Sequence, residues 1–193
     1  MVKSNRDTIS VNDCQILAHY KFEAEQYILT LESEEIAMAT RPGQFVHLSV
    51  SGSLSMRRPI SVMSVDKDNG TFDLLYKIVG EGTRQLSERK IGDIISVIGP
   101  IGNGFEVTEN KIPLLIGGGV GIPPIIAMAQ ELKGDSSYSP YAILGSEVPF
   151  PFDVSKSELN GFYSSKLNTM PLLDEWGIPC GLASLQNYEG VYQ

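Results

Sequence analysis

Apolar and polar positions alternate with a period of two through most of the first half of the chain. In TFDLLYKIV, Phe72, Leu74, Tyr76 and Ile78 fall on one face and Thr71, Asp73 and Lys77 on the other, the pattern of a half-buried strand. QFVHLSV places Val46, Leu48 and Val50 together, and DIISVIGP is a short strand that is largely apolar on both faces. Between ISVMSV and TFDLLYK lies Asp68-Asn69-Gly70, a hairpin turn because Asn-Gly readily takes positive φ. Short strands at this spacing predict a small antiparallel barrel or sandwich. One helical segment, GTRQLSER, interrupts them; it follows Gly80 and Gly82, and Thr83 reads as its N-cap.

The pattern changes near residues 105–113. GPIGNGF is a glycine-rich joint, Pro113 leads the strand LLIG, and a helix is expected from about Pro123 to Lys133. A strand YAIL, a helical stretch near residues 164–176 and the strand-like IPCGLASL follow. Strand, helix and strand in alternation predict a βαβ unit on a parallel sheet. The expected fold is therefore an N-terminal antiparallel β-barrel over residues 1–106, followed by an α/β Rossmann-like portion over residues 107–193. That portion is short for a nucleotide-binding α/β domain, so it is expected to be incomplete.

Composition narrows the function classes. Apolar residues make up 42% of the chain and charged residues 20%, enough for packed cores. Fifteen basic against 23 acidic residues give a net charge of −8; such a surface repels phosphate backbones, which argues against a nucleic-acid partner. The N-terminus, MVKSNRDTIS, has no apolar signal core, and no stretch reaches the roughly 18 apolar residues of a membrane span. Cys14 and Cys180 are the two cysteines, too few for a disulfide framework or a four-thiolate site. A cytoplasmic protein without membrane partners is expected.

Three motifs carry candidate chemistry. In MRRPISV, adjacent Arg57 and Arg58 precede a proline-led strand; a guanidinium fork matches phosphate oxygens, Pro59 and Ile60 could present surface to a flat ring, and Ser61 could bond a ring nitrogen. The alternative is a solvated arginine pair at a strand start. In YKIVGEGTRQLS, the N–H groups of Gly82 and Thr83 could receive a pyrophosphate at the helix start, or the segment is an ordinary capped loop. In LLIGGGVGIPPII, Gly117, Gly118, Gly119 and Gly121 precede Pro123 and Pro124. The glycines could let a backbone approach a nucleotide phosphate, with Pro123 suited to a first helical turn; a tight strand-to-helix turn without a ligand is the alternative.

The order of these blocks, between a β region and an α/β region, resembles the ferredoxin–NAD(P)+ reductase superfamily. Within it, RRPIS, GEGTRQLS, GPIGNGF and GGGVGIPP together resemble the electron transfer subunits of type B dihydroorotate dehydrogenase, over roughly residues 8–133. The resemblance implies an FAD on the barrel. Arg58, Pro59, Ile60 and Ser61 match the block lining the flavin and its ribityl phosphate. Leu75, Tyr76, Lys77 and Ile78 match the next FAD-contacting segment, and Gly82 and Thr83 the pyrophosphate pair. The loop carrying Gly118, Gly119, Gly121 and Pro123 matches the segment approaching the pyridine nucleotide. The implied chemistry is hydride transfer from NADH to the flavin, then single electrons to a [2Fe–2S] centre and a dihydroorotate dehydrogenase catalytic subunit in pyrimidine biosynthesis. No catalytic acid or base is required.

Departures from the family pattern matter as well. A [2Fe–2S] centre takes four thiolates, and this chain has two cysteines, so no metal ligands are assigned and the chain reads as a shortened member. After YAILG stands SEVPFPFDVS, acidic and aromatic, with no arginine for a 2′-phosphate, which favours NADH over NADPH. His47, Cys180, Trp176, Phe150 and Phe152 are read as packing residues. Two alternatives stay open: a stand-alone or hydrogenase-linked NAD(P)H–flavin oxidoreductase, and a non-catalytic truncated binding module.

Overall fold

The computed structural model describes residues 9–50, 56–108, 112–159 and 168–185. By its internal contacts the chain divides into a unit Met1–Phe105 and a unit Glu106–Gln193.

Six strands build the first unit: β1 (Ser10–Phe22), β2 (Gln26–Glu32), β3 (Phe45–Leu48), β4 (Arg58–Asp66), β5 (Thr71–Lys77) and β6 (Ile94–Ile101). They close into an antiparallel barrel in the order β1-β2-β5-β4-β3-β6. The alternation read from the sequence is the alternation of the wall. Phe72, Leu74, Tyr76, Val46, Leu48 and Val50 all lie in one buried cluster, against which Ile78 packs. Burying a side chain of this size is worth about 1.5–3 kcal/mol, so a one-residue slip of register, which would turn the whole set outward, is strongly disfavoured. The β4–β5 connection is the expected turn, with Gly70 at φ 65°. In β6 the apolar faces part company: Ile95 and Val97 are buried and Ile94 is exposed.

Among the described residues two α-helices, not one, interrupt the barrel. The unforeseen helix is α1 (Glu34–Ala39); the other is α2 (Glu81–Ser87). Ser33 caps α1 by accepting from the Ile36 N–H at 3.3 Å, and Glu34 and Glu35 complement the dipole in its first turn. With six residues it is too short to show a helical period, which is why the pattern alone missed it. α2 corrects the expectation for Thr83. The N-cap is Gly80, and Thr83 sits a turn in, its hydroxyl accepting from the N–H groups of Val79 at 2.9 Å and Gly80 at 3.3 Å.

The second unit contains β7 (Leu114–Gly118), α3 (Ile122–Leu132), β8 (Tyr141–Ser146), β9 (Ser155–Lys156), β10 (Asn168–Thr169), α4 (Pro171–Glu175) and β11 (Cys180–Ser184). β7, β8 and β11 form a parallel sheet in the order β11-β8-β7, and α3 is the crossover between the first two. The expected helix near residues 164–176 is reduced to the five residues of α4, started by Pro171; its residues 164–167 lie outside the described residues. The small antiparallel pair β9–β10 left no trace in the pattern, since two residues cannot establish a period.

Candidate functional site

The ladder between β4 and β5 covers only part of the two strands. β5 pairs with β2 along its length, from Glu32↔Thr71 to Gln26↔Lys77. Its ladder with β4 runs only from Asp66↔Thr71 to Val62↔Leu74, with a register shift between Val62 and Ser64. Beyond that point residues 58–61 of β4 pair with β3, through Leu48↔Arg58 to Phe45↔Ser61, while residues 75–77 pair with β2. A ladder that stops midway leaves peptide groups on both lips, and such groups call for a partner. The lips of this slot are the two blocks RPIS and LYKI.

α2 adds a third piece to the slot. Val79 and Gly80 lead from β5 directly into it, and the exit of β5 is held by the Ile78 N–H donating to the Glu25 carbonyl at 3.0 Å. A Cβ built on Gly82 would fall on Arg58 Nε and within 2.6 Å of its Cζ. Arg58 and Gly82, far apart in sequence, are therefore in contact, and it is the missing side chain at position 82 that admits the guanidinium. Thr83 lies alongside, but its hydroxyl is committed to its own turn, also donating to the Gly80 carbonyl at 3.1 Å. What Thr83 can offer a ligand is its main chain.

The twin arginines have different work. Arg57 is turned onto the protein: Nη1 donates to the Ser96 carbonyl at 2.7 Å and the His47 carbonyl at 3.3 Å, and Nη2 to Ser96 Oγ at 3.0 Å. It clamps the start of β4 to β3 and β6. Among the described residues Arg58 bonds locally, from Nη1 to the Met56 and Arg57 carbonyls. Among the described residues the one ion pair joins Arg89 and Asp93 at 3.9 Å, so the charges of Arg58 and Lys77 are not neutralised by a carboxylate there. Strand alternation sorts the other candidates. Ile60, Tyr76 and Ile78 belong to or pack against the barrel core, so they can present main chain to the slot and not side chains. Pro59 is exposed, Ser61 and Lys77 are half-buried, and these alternate to the other face. Leu75 falls on that face too, yet is buried at 5% exposure.

The glycine loop in the second unit divides its glycines between two tasks. A Cβ on Gly117 would meet Ile125 Cγ1 at 2.7 Å and the Gly121 carbonyl oxygen at 2.8 Å, so Gly117 lets α3 lie close on β7. Gly119 takes φ 52°, a conformation that favours glycine, and both it and Gly121 face open space; Gly118 is exposed, with the Gly145 oxygen at 3.8 Å from its would-be Cβ. The start of α3 is poor in donors. Pro123 and Pro124 carry no N–H, and the Ile122 N–H is bonded to the Gly119 carbonyl. The first turn of the helix therefore lacks the N–H donors at positions 122–124 that a phosphate cradle would use. The turn offers the N–H groups of Gly119–Gly121, the exposed Val120 side chain and the room above them.

These geometries agree with what the chain is similar to. Residues 17–105 match the family model of the oxidoreductase FAD-binding domain. The electron transfer subunits of dihydroorotate dehydrogenase B (NAD(+)) from Bacillus mycoides (strain KBAB4) and Bacillus cereus (strain G9842) are each 34% identical to it, over 86% of this chain and 73% of their own length. The chain belongs to the family of dihydroorotate dehydrogenase B electron transfer subunits. Its barrel is an oxidoreductase FAD-binding domain. Among solved structures, that of an NADH-dependent reduced ferredoxin-NADP oxidoreductase, described for flavin-based electron bifurcation, superposes with a TM-score of 0.73 at 26% identity, covering 93% of this chain and 59% of that one. The ferredoxin reductase of carbazole 1,9a-dioxygenase shares the fold, with a TM-score of 0.72 at 18% identity over 96% of this chain and 54% of its own. The chain thus spans less than two thirds of either structure's length.

The [2Fe–2S] centre attached to the family by resemblance finds no fit here. Four thiolates are needed. Cys14 sits in β1 of the barrel and Cys180 in β11 of the other unit. Burial pushes the Cys14 thiol up to about 12 and the Cys180 thiol up to about 11, so both are neutral thiols at physiological pH. Among the described residues no group of three or more His, Cys, Asp or Glu could hold a metal ion. The packing reading of the other singletons agrees with the contacts. Phe150 and Phe152 rings lie 5.0 Å apart, Lys133 Nζ is 4.6 Å from the Trp176 ring, and His47 is 5.5 Å from Phe45.

The two thiols set a pH dependence. Their folded pKa values exceed the ordinary value of 9.0, so the contribution of the neutral thiols to stability is complete below pH 9 and is lost as pH rises toward the folded values. The urea midpoint is expected to fall between pH 8 and pH 10.5, and to fall less steeply in Cys14→Ala. An equal slope in wild type and variant would remove Cys14 as a cause.

Proposed function

We propose that this chain is a flavin-bearing electron transfer subunit: it holds FAD in the slot between β4 and β5 and works between NAD(H) and a dihydroorotate dehydrogenase catalytic subunit. The observation that carries this reading is the meeting of Arg58 and Gly82 at the mouth of an interrupted ladder, inside a matched FAD-binding domain. The residues present suit the group. Arg58 supplies a guanidinium that has no carboxylate partner among the described residues and whose fork fits a phosphate. Gly82 and Thr83 supply main chain without an intervening side chain. The facing edges at residues 58–61 and 75–77, which do not pair with each other across the slot, supply peptide donors and acceptors for the polar edge of a ring, with Ser61 adding a hydroxyl and Lys77 a positive charge on the same side of the wall.

When bound, FAD supplies the redox chemistry, accepting a hydride from the nicotinamide and releasing electrons singly. The protein's share is placement. The barrel core behind Ile60, Tyr76 and Ile78 makes one wall of the slot rigid and dry, and Arg57 fixes the strand from which Arg58 projects. No side chain of the slot needs to exchange a proton. For the second unit the proposal is that the turn at Gly118, Gly119, Gly121 and Pro123 receives NAD(H), by its open space and by the N–H groups of the turn. Support comes from the relatives named with NAD(+) and from the absence of any Lys or Arg between Lys133 and Lys156 to attract a 2′-phosphate. The partner follows from the relatives' name as electron transfer subunits.

The purified chain is expected to be yellow, with close to one FAD per chain; a protein that stays colourless after incubation with FAD overturns the reading. Arg58→Ala is expected to weaken FAD by about 30-fold, the loss of one charge-assisted contact of roughly 2 kcal/mol. Arg57→Ala is expected to act first on stability, because it removes the guanidinium bonds to the half-buried His47 and Ser96. Equal FAD affinity in wild type and Arg58→Ala would misplace the phosphate.

A further inference from the structure

We infer that His19 is a positioning residue for the flavin slot, holding its β5 lip and the helix α2 in register; this rests on the placing of FAD proposed above. His19 lies in β1, distant from every block that marked the site in the sequence. Its Nδ1 is 3.0 Å from the Arg89 carbonyl and its Nε2 is 2.8 Å from the Tyr76 hydroxyl. A carbonyl only accepts, so Nδ1 carries the proton; in the neutral ring Nε2 then accepts, and Tyr76 donates.

The two partners belong to two of the three pieces of the slot, the β5 lip and α2. Tyr76 is on β5, in the segment where that strand has lost β4 and keeps β2. Arg89 follows directly on the C-terminal end of α2, the helix whose other end carries Gly82 and Thr83. One imidazole thus ties the lip of the slot to the helix that closes it. The anchoring continues on both sides. The Tyr76 ring stacks on Tyr27 with centroids 5.3 Å apart and 12° between planes, and Tyr27 also lies 5.3 Å from His19. Tyr27 and Tyr76 face each other in the β2–β5 ladder, and His19 opposes Leu29 in the β1–β2 ladder, which puts it diagonal to Tyr27, within reach of a ring. Beyond Arg89, its guanidinium donates to the Val50 carbonyl through Nη2 at 2.6 Å and Nε at 3.2 Å, bringing the chain after β3 into the same network.

The physical need is specific. A strand with hydrogen bonds on one side only is free to shift by the small amounts that spoil a binding geometry, and supporting groups that fix such a strand raise affinity without touching the ligand. Burial holds the Tyr76 phenol well above the ordinary tyrosine range, so it remains a donor to His19 across the working pH range.

The test is a double-mutant cycle on the full chain with His19→Phe, Tyr76→Phe and the double variant, reading the FAD dissociation constant, the shape of the bound-flavin visible band and the urea midpoint of the flavin-free protein. Each single variant is expected to raise the FAD Kd about fivefold and to alter the band, and the double variant no more than the larger single one, because both remove the same bond. Unchanged Kd and band in both singles, whatever happens to the urea midpoint, would reduce His19 to a packing residue, as would effects that multiply in the double variant. Should His19→Phe not fold, Tyr76→Phe, which removes a single oxygen atom, decides the matter by the same readings. Failure of wild type to bind FAD would instead strike the proposed function.

Discussion

Gly82→Val is expected to leave a folded, colourless protein. The side chain at position 82 would occupy the place of the Arg58 guanidinium, since even a Cβ overlaps its Nε. The guanidinium is the far end of a flexible side chain and can move away, so the clash is relieved by displacing Arg58 and not by unfolding the barrel. Valine is also no worse than glycine within a helix. The loss falls on the ligand. Displacing the arginine would forfeit the phosphate contact proposed for it, and the added methyl groups would keep a phosphate off the main chain of Gly82 and Thr83. Two charge-assisted interactions of about 1.5–3 kcal/mol each amount to a fall of 100-fold or more in FAD affinity, larger than for Arg58→Ala, which removes the charge and keeps the approach open. The ratio of flavin to protein absorbance after purification, with a thermal midpoint close to wild type, is the measurement. Full occupancy in Gly82→Val would show that the flavin phosphates bind elsewhere.

In the second unit the largest effect is expected from Gly117→Ala, and almost none from Gly121→Ala. The contact of 2.8 Å between a Cβ at position 117 and the Gly121 carbonyl oxygen is with backbone, which cannot rotate away, and Ile125 crowds the other side. Overpacking of this kind costs about 1–3 kcal/mol, here at the seam between β7 and α3. At Gly121, φ is −88° and a Cβ meets nothing, so alanine is expected to change stability by less than about 0.5 kcal/mol. Trp176 is the one tryptophan of the chain and sits at the end of α4, so its fluorescence reports unfolding of this unit while flavin fluorescence reports the barrel. Gly117→Ala should lower the urea midpoint of the tryptophan signal and spare the flavin signal. Equal stability of the two variants would mean that the loop glycines are interchangeable, contrary to the division of labour seen in the structure.

Much of this architecture was legible beforehand because its cause is local. A period of two over Phe72, Leu74, Tyr76 and Ile78 can only be a strand with one buried face, and Asn69-Gly70 can turn tightly because glycine takes positive φ. The change from that period to strand–helix–strand near residue 113 marked the parallel sheet. What failed was short or one-sided: α1, with six residues, shows no period, and Thr83 has the composition of an N-cap but stands inside the helix, where its hydroxyl reaches back to Val79 and Gly80.

The candidate site divides the same way. From the sequence each block taken singly had an ordinary structural reading, and it was their order and their resemblance to one family that joined them into one proposed site. Sequence alone could not say which arginine faces the slot, that Gly82 exists to admit Arg58, that two prolines strip α3 of the donors its glycines seem to promise, or that His19 joins β5 to α2. Those are decided by strand register and by which elements the barrel closes against one another. Each depends on contacts between residues far apart in the chain, and a contact of that kind leaves no period, spacing or turn signal in the residues that make it.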